Sequence, residues 1–120
     1  MNKKTLVFGA SLKAHRYSNI AIRRLLDSNI PVVAFGMRSG SVAEVQIDRQ
    51  LMPYKDIHTV TLYMNPTRQE PFYEYILNLN PERVVFNPGT ENPALIQRLE
   101  QHNIEALVAC TLVLLATNQY

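Results

Sequence analysis

At 120 residues, with 47% hydrophobic and 18% charged side chains, the chain has the balance of one folded domain spanning 1–120, too short for a second catalytic domain of ordinary size. Twelve Lys and Arg against ten Asp and Glu leave a formal charge of +2 with the two signs interspersed, which disfavours the clustered basic face of broad nucleic-acid binding. The single Cys110 has no partner for an intramolecular disulfide, and His15, His58, His102 and Cys110 lack metal-ligand spacing.

The first segment, MNKKTLVFGAS, sets two lysines before an apolar run that ends by Ser11, too short for a signal h-region or a membrane span. A cytoplasmic location with no membrane partner is the expectation. Residues 5–9, TLVFG, read as a strand ending in Gly. Residues 19–29 place Ile22, Leu25 and Leu26 on one face of a helix with Arg23 and Arg24 on another. Residues 30–36, IPVVAFG, form a near-continuous apolar run, as expected of a strand covered on both faces. The stretch 37–58 has no convincing helical face and reads as a loop, a short turn of helix and an irregular edge.

Residues 59–65, TVTLYMN, give a third strand. Phe72, Tyr75, Ile76 and Leu79 give 70–80 helical spacing, with Pro71 in the first turn. Residues 82–87 make a fourth strand, and 92–103 a helix with Asn92 as N-cap and Pro93 at its first position. Residues 105–110 complete five strands. The terminal TLVLLATNQY reads as a last helical turn over the sheet, or as an exposed leucine stripe suited to a homodimer or another protein partner. The alternation predicts an α/β three-layer fold with a five-stranded, mostly parallel sheet and helices on both faces.

In such folds ligands sit outside the carboxyl ends of the strands, where strand order reverses. Four loops lie there: GASLKAHRYSN, GMRSGS, MNPTRQ and NPGTENP. Gly9, Ala10 and Ser11 are small enough for a diphosphate to approach the backbone at a helix N-terminus, with Lys13, Arg16, Tyr17 and Ser18 nearby. The same small residues also suit a tight strand-to-helix turn, and Ser18 or Asn19 suits an N-cap. No second or third glycine follows, and the second strand ends in AFGMRSGS without the acid that accepts the ribose hydroxyls of NAD. Arg38, between Gly36 and Gly40, instead suits the ribose phosphate shared by NADP and coenzyme A, and reads equally as a solvated loop arginine.

At these loops VFGAS (7–11), PVVAFGMR (31–38), LYMNP (62–66), VVFNPGTENPAL (84–95) and HNIEALVAC (102–110) resemble the small stand-alone CoA-binding proteins. Their domain also forms the N-terminal part of the succinyl-CoA synthetase α subunit. The resemblance implies a Rossmann-like domain holding coenzyme A across the carboxyl edge of the sheet. By position, Gly9, Ala10, Ser11 and Lys13 would border the diphosphate, and Tyr17 and Ser18 would close that loop. Gly36, Met37 and Arg38 would meet the adenosine and its 3′-phosphate. Met64, Asn65 and Pro66 would flank adenine or ribose, and Asn87, Pro88 and Gly89 would lie along the pantetheine path. Arg38 preserves the charge of a lysine common in the family, a glycine usual near Ser18 is missing, and the familiar Cys-Pro is Cys110-Thr111 here. The synthetase's phosphohistidine belongs to a separate domain, so no catalytic residue transfers.

The chain's own candidates for catalysis are few. His15 has no acid nearby to orient it, His58 and His102 read as structural, and Cys110 reads as a small buried residue packing the last strand, with thiol exchange as its alternative. Glu91 suits the approach to a helix N-terminus. Tyr63, Tyr73 and Tyr75 read as core or half-buried surface, leaving Tyr17 as the tyrosine weighed for binding. The expectation is a non-enzymatic module binding a small nucleotide ligand, coenzyme A or acyl-CoA, as a sensor or partner subunit. The alternatives are an NADP-dependent enzyme or redox regulator using the same cleft, and an interaction domain with that cleft empty.

Overall fold

The computed structural model describes residues 2–120. Seven strands form one sheet: β1 (Thr5–Phe8), β2 (Val32–Phe35), β3 (Gly40–Val42), β4 (Val45–Asp48), β5 (Thr59–Leu62), β6 (Arg83–Phe86) and β7 (Glu105–Val108). Their spatial order is β3-β4-β2-β1-β5-β6-β7, every pair parallel except the β3–β4 hairpin. The helices are α1 (Tyr17–Asp27), α2 (Pro66–Gln69), α3 (Tyr73–Leu79), α4 (Pro93–Gln101) and α5 (Thr111–Ala116). This is the expected Rossmann-like α/β class.

Alternation along β1 divides the core. Leu6 and Phe8 face one apolar cluster with Leu62, Phe86, Ile76 of α3 and Leu95 and Leu99 of α4. Val7 faces the other, with Ala34, Ile47 and Ile22 and Leu25 of α1. Both faces of the central strands are therefore dry, which is why they read as unbroken apolar runs. The Phe8 ring stacks on Phe35 at 4.8 Å and meets Phe72 edge-on at 5.2 Å between centroids.

Several expectations are corrected. The sheet has seven strands because 37–58 contains the β3–β4 hairpin, whose turn is made by Ala43 and Glu44 at φ 49° and 71°. Neither residue is the Gly, Asn or Asp that usually announces such a turn. The helix foreseen over 70–80 is broken: α2 leads into a 3-10 turn over Glu70–Phe72, and α3 starts only at Tyr73. Pro71 has no N–H for an α-helical bond and its ring crowds the carbonyl four residues back. β7 is an edge strand with Glu105 and Val108 exposed, and Cys110 is half-buried at the N-cap of α5 rather than buried in a strand.

Helix α1 begins at Tyr17, so Ser18 and Asn19 are buried inside its first turn and neither caps it; Arg16 holds the N-cap position without a side-chain hydrogen bond. By contrast Asn92 caps α4 as expected, its Oδ1 accepting from Leu95 N at 3.2 Å. Its Nδ2 donates to Gln69 Oε1 at 2.9 Å and to the Tyr73 hydroxyl at 2.7 Å. Asn92→Ala removes the cap and orphans buried partners, so denaturant unfolding is expected to show a loss of about 2 kcal/mol, against about 1 for a cap alone.

Candidate functional site

The chain winds from β1 to β2 on one side and then crosses to β5 on the other, so the order reverses between β1 and β5. The loops leaving these two strands part there and open a crevice at their carboxyl ends. Gly9 makes this possible. Its φ of 101° suits only glycine, and a Cβ there would lie 3.0 Å from the Tyr63 backbone. The N–H groups of Gly9 and Ala10 both donate to Phe35 O, at 2.9 and 2.8 Å, tying the β1 tip to β2. Gly36 completes the tie, since a Cβ on it would fall 2.3 Å from Ala10 O.

Beyond that tip the loop folds on itself. Ser11 Oγ accepts from Lys13 N at 3.1 Å, and Asn19 Nδ2 reaches back from α1 to Ser11 O at 2.9 Å. Asn19 is thus a loop clamp. The first turn of α1 has no acidic residue and no side-chain cap, and the N–H groups of Tyr17 and Ser18 meet no acceptor among the described residues. Such an end carries partial positive charge and unpaired donors, the requirements of an anion seat.

Two cavities meet at this point. One of about 260 Å³ is lined by Tyr17, Ser18, Met64, Asn65, Pro88 and Gly89 together with Tyr63 and Thr90. The other, of about 430 Å³, is lined by Ala10, Leu12, Lys13, Met37 and Arg38. Gly9, Ser11 and Arg16 border both, so the two are chambers of one cleft. Together they fall within the size range of small-molecule sites.

Most of the residues foreseen from sequence therefore converge, and three stand apart. Gly36 lines neither chamber and acts as the spacer between strand tips. Pro66 opens α2 behind the β5 loop. Asn87 is 3% exposed, its Nδ2 donating to Thr61 Oγ1 and Leu62 O and its Oδ1 accepting from Thr111 N. Its amide ties three elements below the cleft, leaving the lining to Pro88 and Gly89. Conversely, Leu12, Arg16, Tyr63 and Thr90 line the cleft although the sequence did not single them out as site residues. Arg16 was visible only as one more cation near the loop.

No Asp or Glu lines either chamber, and Lys13, Arg16 and Arg38 enter no ion pair among the described residues. The nearby Glu91 is occupied by Gly89 N at 2.8 Å. Three exposed apolar side chains, Leu12, Tyr17 and Met37, flank the cations, with Tyr17 at 69% and Met37 at 63% exposure. A ligand matching this surface carries several negative charges on a partly apolar body.

His15 is exposed, and neither it nor Cys110 lines a chamber. His58 pairs with Glu82 at 3.6 Å and has its pKa lowered by burial, while His102 sits at the C-cap of α4 with Nδ1 at 2.9 Å from Arg98 O. Among the described residues no three His, Cys, Asp or Glu side chains converge as metal ligands, and no helix is long and apolar enough to cross a membrane.

Fold and cleft define a Rossmann-like domain with an anion-receptive crevice at its switch point. Residues 3–116 match the CoA binding domain, and the chain belongs to that family. A crystal structure of an uncharacterized protein is 39% identical and superposes with a TM-score of 0.97, covering 100% of this chain and 99% of its own. Cell-free ID.343 from Thermus thermophilus (16% identity, TM-score 0.87, 99% and 91% covered) and a hypothetical protein from Pyrococcus horikoshii OT3 (21%, 0.84, 93% and 80%) share the fold. No curated protein matches the sequence.

Proposed function

We propose that the cleft binds coenzyme A or an acyl-CoA without transforming it, making the protein a sensor or a partner subunit for that carrier. The observation that carries this reading is the acid-free cleft in which Arg16 stands at the uncapped start of α1 and Lys13 and Arg38 line the adjoining chamber, none of the three in an ion pair among the described residues. The residues fit the group. Arg38 would hold the ribose 3′-phosphate, the free amides of Tyr17 and Ser18 with Arg16 would hold the diphosphate, and Pro88 and Gly89 would border the pantetheine arm. Gly89, at φ 91° with open space beside it, leaves room for that arm. Family membership supports the same ligand.

Thermal unfolding in the presence of CoA, dephospho-CoA, NADP and NAD tests it. A ligand at a hundred times its Kd stabilises the folded state by about 2.7 kcal/mol. CoA is expected to give the largest shift and dephospho-CoA a smaller one, with Arg38→Ala removing the difference. An equal response to NAD and CoA would refute the role of Arg38, and a larger response to NADP would favour a nucleotide-dependent enzyme or regulator.

A further inference from the structure

We infer that Gln69 is a positioning residue for the cleft, its buried amide fixing the separation of the β5 and β6 loops that form the wall opposite α1; its consequence for binding rests on the coenzyme A reading above. Gln69 ends the short helix α2 and is 0% exposed, which is unusual for a long polar side chain. Every hydrogen-bonding atom of its amide is used. Nε2 donates to Met64 O and to Thr90 O, each at 2.8 Å, and Oε1 accepts from Asn92 Nδ2 at 2.9 Å.

Met64 belongs to the loop after β5 and Thr90 to the loop after β6, and both line the smaller chamber. One NH2 group therefore bridges two loops that have no strand pairing at this level, since β5 and β6 last pair at Leu62 and Phe86. The second loop is braced further by Thr90 Oγ1 donating to Asn87 O at 2.7 Å. An apolar residue of equal volume would leave two buried carbonyls unpaired, and the loops would relax apart to reach water. The larger chamber, with Lys13, Met37 and Arg38, has no contact with this brace. Loss of Gln69 accordingly weakens grip on the part of a ligand between the loops and spares recognition at Arg38.

The test compares CoA and dephospho-CoA binding by calorimetry in the natural protein and in Gln69→Met. The expected result is a fall in CoA affinity of about tenfold, the scale of one or two unpaired buried groups, with the CoA to dephospho-CoA preference unchanged. An unchanged affinity in the folded variant overturns the proposal. So does collapse of the preference, which would mean general loosening. If the variant does not fold, amide exchange in the natural protein decides. Slow exchange of the Gln69 side-chain NH2, which donates to Met64 O and Thr90 O, each at 2.8 Å, before any ligand is added supports a preset wall, and slow exchange only after CoA is added overturns it. Natural protein that binds no CoA at all refutes the ligand while the exchange pattern still reports on the brace.

Discussion

Arg16→Glu is expected to bind coenzyme A about 100-fold more weakly while folding no less stably than the natural protein, a weakening that corresponds to about 2.7 kcal/mol. The opposed signs follow from its place. Arg16 is exposed, sits at the N-cap of α1 and has neither a capping hydrogen bond nor an acidic partner among the described residues. A cation at that end opposes the helix dipole, so a carboxylate there is favourable by about 0.5 kcal/mol. The same carboxylate stands where both chambers meet and would repel a diphosphate from the free amides of Tyr17 and Ser18. Urea unfolding without ligand and calorimetry with CoA give the two readings separately. Undiminished affinity would remove Arg16 from the site, and with it the reason for a helix start that local energetics disfavours.

The second large effect is on stability. Gly36→Ala is expected to destabilise the fold by about 3 kcal/mol, lowering Tm by on the order of 10 °C, and to abolish the preformed β1 tip. The new methyl would lie 2.3 Å from Ala10 O and 3.0 Å from Ile47 Cγ2. Retreat is blocked because Gly9 and Ala10 are bonded to Phe35 O and Gly36 N donates to Asp48 O at 2.9 Å. Gly89→Ala is the control. Gly89 has a positive φ but nothing within 4 Å, so only backbone strain of about 1 kcal/mol applies. Equal losses in the two variants would show that the tips of β1 and β2 are not held at the close approach described.

The parallel core was readable because double burial leaves an apolar run without alternation, as in LVF and VVF, and Asn92-Pro93 announced α4 through chemistry local to the helix end. What escaped depends on contacts distant in sequence. The β3–β4 turn at Ala43 and Glu44 is held by the packing of Val42 and Ile47 under α1, not by turn residues. Ser18 and Asn19 have the composition of caps, yet Asn19 is needed at Ser11 O and the true cap position falls on Arg16. In the site, small residues and cations marked the β1 and β2 loops. Asn87 could not be told apart from a lining residue and nothing marked Gln69, because a buried amide and a ligand-facing amide have the same letter and differ only in which carbonyls lie within reach. That is settled by the tertiary fold.

The cleft hangs from β1, which has strands on both sides and no exposed residue. Hydrogens in such a strand are released only when the whole molecule opens, unlike those of a frayed edge. Were the proposed carrier seated on its tip, it would stabilise the folded chain, and proteases that attack the opened chain would meet less of it wherever the carrier is plentiful. The amount of protein surviving in a cell would then track the supply of its own guest, with no dedicated control element required.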